Sequence, residues 1–275
     1  MLKEKEEWED RMVLPRIITA VVGIPIVCVL VYAGGFPYFI FITFIIEMCL
    51  YEYYVMMKLS FKPVDPVSLF LCGFLIPLSF YLNYDMEKFF NFVSFIISLS
   101  VILPFLIEIF AKEKYLERVG YTIIALILVS YNLSYFILLR NMDGGFKIVL
   151  WLFVSVWIGD TSAYIFGKCF GRHKLSEVSP KKTIEGFIGG FIATILFFYI
   201  ISFYSSFISV HKFLLCGVIV SFSSQVSDLA QSLIKRSCGI KDSSNLLPGH
   251  GGFFDRFDSY LFAAPIYYYF LILAR

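Results

Sequence analysis

Charge is what this sequence has least of. Only 16% of its 275 residues are Asp, Glu, Lys or Arg, against 59% hydrophobic, and the mean hydropathy is +0.79. Soluble domains carry about a quarter charged residues, so the deficit excludes an ordinary soluble fold and predicts an integral membrane protein. A net charge of +2 gives no sign of a nucleic-acid partner. Cysteine spacing is also uninformative by design of the metal-binding motifs: Cys28, Cys49, Cys72, Cys169, Cys216 and Cys238 are scattered, mostly in apolar runs, with no C-x-x-C. That excludes a disulfide framework or a zinc site and leaves small buried hydrophobes. The leader "MLKEKEEWEDRMVLPR" lacks a compact apolar core followed by a small-residue cleavage site, so it is expected to be an exposed leader rather than a removable signal. No internal repeat is visible, and no GxxxxGK[ST] phosphate loop occurs.

What is abundant is apolar sequence in runs long enough to cross a hydrocarbon core of about 30 Å. Nine such runs lie near residues 17–34, 37–57, 66–83, 89–110, 120–139, 147–167, 186–207, 212–234 and 257–274. The fold class expected is therefore all-α, a polytopic transmembrane helix bundle of about nine spans. Residues 1–145 would form an N-terminal transmembrane part and 146–275 a C-terminal catalytic part. Eighteen of the 23 Lys and Arg fall in the leader and in the loops after the even-numbered spans. Positive loops stay cytoplasmic, so the expected location is the inner, cytoplasmic membrane, with the N-terminus inside and the C-terminus outside.

Two loops on that cytoplasmic side hold most of the polarity. One is "KCFGRHKLSEVSPKKTIEG" after span six; the other is "RSCGIKDSSNLLPGHGGFFD" after span eight. Ionisable groups at membrane depth default to a functional reading, which singles out Asp160 and Asp228. Gln225, Asp228, Ser232 and Lys235 follow at helical spacing, a polar stripe down one face of span eight. Glu47, Glu52 and Glu108 have no such stripe around them and are expected to serve packing. Asp255 and Asp258 stand at i, i+3 where span nine begins. Together with Asp228 they are hard oxygen ligands of the kind Mg²⁺ takes while keeping waters and phosphates.

The bases Lys235, Arg236, Lys241 and Arg256 alternate with these acids, as a pocket for a metal and phosphates would require. Gly251 and Gly252 in "PGHGG" allow close backbone approach to an anion. Lys181, Lys182 and Thr183 precede a helix start where a phosphate could sit on backbone N–H groups. The carboxylates Asp228 and Asp255 are expected to share one ion, because a short loop makes their helices antiparallel neighbours.

The stretch "SLIKRSCGIKDSSNLLPGHGGFFDRFD", residues 232–258, resembles the signature of the CDP-diglyceride synthase family, the phosphatidate cytidylyltransferases. Ser232, Lys235, Arg236, Lys241, Asp242, Pro248, His250, Gly251, Gly252, Asp255, Arg256 and Asp258 fall on its fixed positions. "GDTSAYIFGKCFGRHKLSEVSPKKTIEG" resembles the family's upstream block, so the likeness covers roughly the last 120 residues. One departure is Ser227, where the family usually has Gly before the aspartate.

The resemblance implies that CTP and phosphatidate react to CDP-diacylglycerol and pyrophosphate with Mg²⁺. Asp228, Asp255, Lys235 and Arg256 would be catalytic, and Asp228, Asp255, Asp258 and Asp160 metal ligands. Lys181, Lys182, Thr183, Ser232, Lys235, Arg236, Lys241, His250, Gly251, Gly252 and Arg256 would hold CTP or its phosphates, with His250 shaping the glycine loop rather than acting as base. The partners implied are CTP, a phosphatidate lipid and the bilayer, and a homo-oligomer stays open. Two rivals also stay open, a CTP-dependent lipid kinase and a proton-coupled transporter. A CDP-alcohol phosphotransferase is disfavoured by the lack of a DGxxAR cluster.

Overall fold

The computed structural model describes residues 21–82, 86–205, 207–244, 246 and 251–274. His250, Pro248, the leader and Arg275 lie outside the described residues. Helices account for nearly all of what is described: α1 (Val21–Ala33), α2 (Gly35–Leu59), α3 (Pro66–Leu82), α4 (Met86–Phe110), α5 (Leu116–Ala125), α6 (Asn132–Asn141), α7 (Gly145–Phe170), α8 (Ile184–Tyr204), α9 (Val210–Ser237) and α10 (Tyr260–Ala274). A π-helical segment, Leu126–Tyr131, joins α5 to α6 in one apolar run. Among the described residues there is no strand; Lys174 and Thr183 form an isolated bridge.

Among the described residues, six helical stretches are long and apolar enough to cross a membrane: Gly35–Leu59, Phe92–Phe110, Leu116–Asn141, Gly145–Phe170, Ile184–Tyr204 and Val210–Ser237. The remaining three expected spans correspond to shorter apolar helices, Val21–Ala33, Pro66–Leu82 and Tyr260–Ala274. Pro66–Leu82 and Tyr260–Ala274 fall short of the about 20 helical residues needed to span, and Val21–Ala33 begins at the first described residue. None of the six cysteines, all among the described residues, is in a disulfide; Cys49, Cys72 and Cys216 are buried as expected, whereas Cys169 is exposed.

The chain divides into two compact units. The first unit runs to Tyr131 and takes in Ile240–Phe257; the second comprises Asn132–Gly239 and the chain from Asp258 onward. In the first, α2 packs on α3, and α3 on α4 and the π segment. Asp65 caps α3, accepting from Ser68 N–H at 2.8 Å, and its own N–H donates to Thr122 Oγ1 at 2.9 Å. Glu108, buried at the end of α4, pairs with Arg118 at 3.2 Å, which accounts for this acid structurally.

In the second unit α7, α8, α9 and α10 pack in sequence and α6 closes on α7 and α10. Aromatic layers fill this core: Phe136 stacks on Phe153 with ring centres 5.2 Å apart, and Tyr260 meets Phe153 edge-on. Small residues let α7 and α8 approach. A Cβ on Gly186 would lie 2.6 Å from the Ala163 carbonyl oxygen, and one on Gly190 would lie 2.7 Å from that of Gly159. Backbone-to-backbone packing of this kind is what small residues at four-residue spacing provide in membrane helices.

Candidate functional site

The short segment between α7 and α8 is shaped by its own backbone. Leu175 N–H donates to the Lys182 carbonyl at 2.9 Å and Ile184 N–H to the His173 carbonyl at 3.0 Å, so residues 173–184 fold back into a tight hairpin-like loop. Thr183 then caps α8, its Oγ1 accepting from Gly186 N–H at 3.1 Å. That satisfies one of the N–H groups a helix start leaves without an intrahelical partner. Glu185 holds the other end, accepting from Arg172 and His173 N–H and meeting His173 Nδ1 at 2.7 Å. Arg236, at the end of α9, donates through Nε to the Val178 carbonyl at 3.3 Å. The loop is thereby fixed at both ends and along its side.

Lys181, Lys182 and Thr183 sit on the wall of a cavity of about 520 Å³ within this unit, opposite Asp160 of α7 and Gln225 and Asp228 of α9. Lys182 Nζ forms an ion pair with Asp228 Oδ2. Ser232 Oγ lies 3.5 Å from Asp228 Oδ1, at the limit of a hydrogen bond. Gln225 donates to the Phe187 carbonyl and to Ser221 Oγ. The stripe read along span eight is therefore split: Gln225 and Asp228 face the cavity, while Ser232 and Lys235 are buried beyond it.

Asp258, two residues ahead of α10, feels the same charges. Loss of solvation raises its carboxyl to about 8; the negative fields of Asp228 and Asp160 add to this, and Lys235 and the Ser259 N–H oppose it. Asp228 and Asp160 thus act on the same place as Asp258, with Lys182 and Lys235 as the nearby cations. Among the described residues no three His, Cys, Asp or Glu side chains stand close enough to enclose a metal ion. Mg²⁺ needs less, because one or two carboxylates with substrate phosphates and waters complete its shell. Asp228 and Asp160 on one open cavity fit that requirement.

Ser227, the departure from the family pattern, is fully buried, and its hydroxyl does more than fill space. It donates to the Asp258 carbonyl and accepts from Phe262 N–H at 3.2 Å, tying α9 to the start of α10.

Asp255, Gly251, Gly252, Lys241 and Arg256 belong to the other unit. Asp255 is engaged in its own loop: Oδ2 accepts from Ser243 N–H at 2.9 Å and Gly252 N–H at 3.1 Å, with Ser243 Oγ at 3.0 Å. Gly251 has φ +79°, a left-handed conformation that favours glycine. Lys241 and Arg256 are exposed. The residue that sequence reasoning missed is Glu52. Expected only to pack, it is 1% exposed and accepts from Ser243 Oγ, Ser244 Oγ, Phe253 N–H and Phe254 N–H. The available signal was an acid inside an apolar run. A Cβ on Gly252 would collide with the Glu52 carboxylate and Ser243 Oγ, so this glycine makes room for a protein carboxylate.

A family model described as the Cytidylyltransferase family matches residues 14–274. The chain belongs to that family. It is 33% identical over 264 residues to a phosphatidate cytidylyltransferase of Bacillus subtilis (strain 168), covering 94% of this chain and 97% of the relative. A protein of the same name from Synechocystis sp. is 30% identical over 288 residues, with 94% and 96% covered. Another, from Staphylococcus haemolyticus, is 44% identical over 140 residues, about half of each chain. The match to this cytidylyltransferase family thus extends over the N-terminal helices, well beyond the last 120 residues that carry the signature.

Proposed function

We propose that this cytidylyltransferase-family protein makes CDP-diacylglycerol from CTP and phosphatidate, with Mg²⁺, on the cytoplasmic face of the inner membrane. The observation that carries the reading is the cavity where Asp160, Asp228, Lys181 and Lys182 converge. The relatives' shared name supplies cytidine and the lipid. All nine apolar helices are taken as membrane-embedded, the three shorter ones by tilting little or by thinning the bilayer around them.

In this reaction a phosphate oxygen of phosphatidate attacks the α-phosphorus of CTP. The bond from that phosphorus to the α–β bridging oxygen breaks, and its electron pair leaves with pyrophosphate. The attacking oxygen is already anionic at neutral pH, so the protein positions groups and neutralises charge rather than forming a covalent intermediate. Lys181, exposed, and Lys182, half-buried, offer their ammonium groups to phosphate oxygens. A phosphate arriving at Lys182 competes with Asp228 for it and frees that carboxylate. Bound Mg²⁺ would supply Lewis-acid neutralisation of the triphosphate at Asp228, with Asp160 and Asp258 near enough in field to strengthen its hold. Lys235 balances this acid group from the buried side. Arg236 braces the loop that carries the lysines. Lys241, Arg256 and His250 are carried as phosphate contacts or loop-shaping groups by the family signature alone.

The test is isotopic. Purified protein given phosphatidate and CTP labelled at the α-phosphate should place the label in lipid, while γ-label should leave in pyrophosphate. Lipid labelled only from the γ-phosphate would make it a kinase. No divalent-dependent turnover of either label would reject the reading.

A further inference from the structure

An ionised carboxylate accepts through about four lone-pair sites. Glu52, from the middle of α2, has four donors around it: Ser243 Oγ at 2.7 Å, Ser244 Oγ at 2.7 Å, Phe253 N–H at 2.9 Å and Phe254 N–H at 2.9 Å. All four belong to the loop Ile240–Phe257, 191 to 202 residues further along the chain. Burying a carboxylate away from water is expensive unless such partners are present, so the loop and the acid each require the other. The ends of the loop are gathered at one point, because Ser243 and Ser244 lie at its start and Phe253 and Phe254 near its finish.

The neighbouring packing points the same way. Phe253 meets Phe44 edge-on with ring centres 5.8 Å apart, and Phe254, fully buried, meets Tyr53 edge-on at 6.4 Å. Phe44 and Glu52 are two helical turns apart on α2, with Tyr53 next to Glu52. Ser243 Oγ also reaches Asp255 Oδ2, so its single hydrogen serves one carboxylate at a time and couples Glu52 to the signature aspartate.

We infer that Glu52 is a positioning residue for the reaction: α2 holds the two described ends of the signature loop together through this one buried carboxylate. The inference rests on reading the loop as part of the cytidylyl-transfer site. It gives the N-terminal helices a role in catalysis that acts through Asp255 and the loop backbone, with no contact to substrate.

Glu52→Gln is the informative variant. An amide keeps one acceptor oxygen and turns N–H donors toward a cluster that consists of donors. Full-length protein in detergent is followed by hydrogen exchange at the Phe253 and Phe254 amides and by kcat/KM for CTP. The expected result is at least tenfold faster exchange at both amides and a fall of at least a hundredfold in kcat/KM, with KM for phosphatidate changed less than twofold. Ser244→Ala, which removes one donor and keeps the carboxylate, should move both readouts in the same direction by three- to tenfold, and it serves if Glu52→Gln does not fold. Unchanged exchange in the variant would overturn the clamp. Faster exchange with wild-type kcat/KM in the folded fraction would overturn the positioning role. If the wild-type protein itself turns over no CTP, the proposed reaction fails, while the exchange measurement still decides the clamp.

Discussion

Gly190→Ala adds a single methyl group at the closest approach of α7 and α8. The new Cβ would lie 2.7 Å from the Gly159 carbonyl oxygen and 3.0 Å from Ala163 Cβ, where ordinary contact begins at 3.4 Å. The carbonyl belongs to a helix and cannot rotate aside, so the two helices must part by about 0.7 Å locally. Overpacking of this kind costs about 1 to 3 kcal/mol. The exchange of Gly for Ala inside a helix returns about 1 kcal/mol. Gly120→Ala isolates that second effect, since a Cβ on Gly120 of α5 meets nothing within 4 Å.

The difference between the two variants is then the packing loss alone, about 1 to 3 kcal/mol, or a gap in Tm of about 2 to 12 °C for a protein of this size. Thermal unfolding in detergent measures it. Activity should follow, because the displaced carbonyl adjoins Asp160 and Lys182 directly precedes Thr183, the cap of α8. We expect Gly190→Ala to raise KM for CTP several-fold and Gly120→Ala to leave it alone. A Tm for Gly190→Ala equal to or above that of Gly120→Ala would refute the close backbone packing on which the cavity's shape depends.

Asp228→Asn should lower turnover at least about a hundredfold, the scale expected when a charge-stabilising group is lost; near-normal initial rates across a Mg²⁺ titration would remove this carboxylate from the site. Lys182→Met should raise KM for CTP more than it lowers kcat, because a phosphate replaces Asp228 as the partner of that ammonium, and an unchanged KM would place the triphosphate elsewhere. Thr183→Ala should cost about 1 kcal/mol by removing the cap of α8, with Thr183→Ser restoring most of it; equal Tm values for the two would deny the cap. Topology is read by single cysteines in a version lacking the native six: Asp242→Cys, exposed on the signature loop, should label from the cytoplasm, and Ser209→Cys, exposed ahead of α9, from outside. The reverse pattern would put the acids on the wrong side for CTP.

Much of this site was legible because its chemistry is written in side chains. Asp228 advertised itself as an acid at membrane depth, and the helical spacing of Gln225 and Asp228 put them on one face, as the cavity has them. Lys181 and Lys182 were visible as a basic pair before a helix start. Six of the nine expected spans were equally plain among the described residues, since apolar runs need no partner to be recognised. The tight pairing of α7 and α8 rests on Gly159 and Ala163 of one helix and Gly186 and Gly190, one turn apart, on the other; that these small residues face each other shows only in the fold.

Glu52 was hidden for a different reason. Its recognition depends on two backbone N–H groups, at Phe253 and Phe254, which every residue but proline possesses and which leave no mark on a sequence. The two serines that complete the set are common loop residues, and nothing in their spacing from position 52 announces a partner. Gly252 was read as room for a phosphate because a glycine reports only that something comes close, never what. Asp255 has the same ambiguity: its place in the signature suggests a metal ligand, and its Oδ2 also accepts from Ser243 and Gly252. A carboxylate that organises backbone amides and one that binds a cation have the same letter and the same neighbours along the chain. They differ only in whether the facing groups are N–H donors or open cavity, and that distinction exists only once the chain is folded.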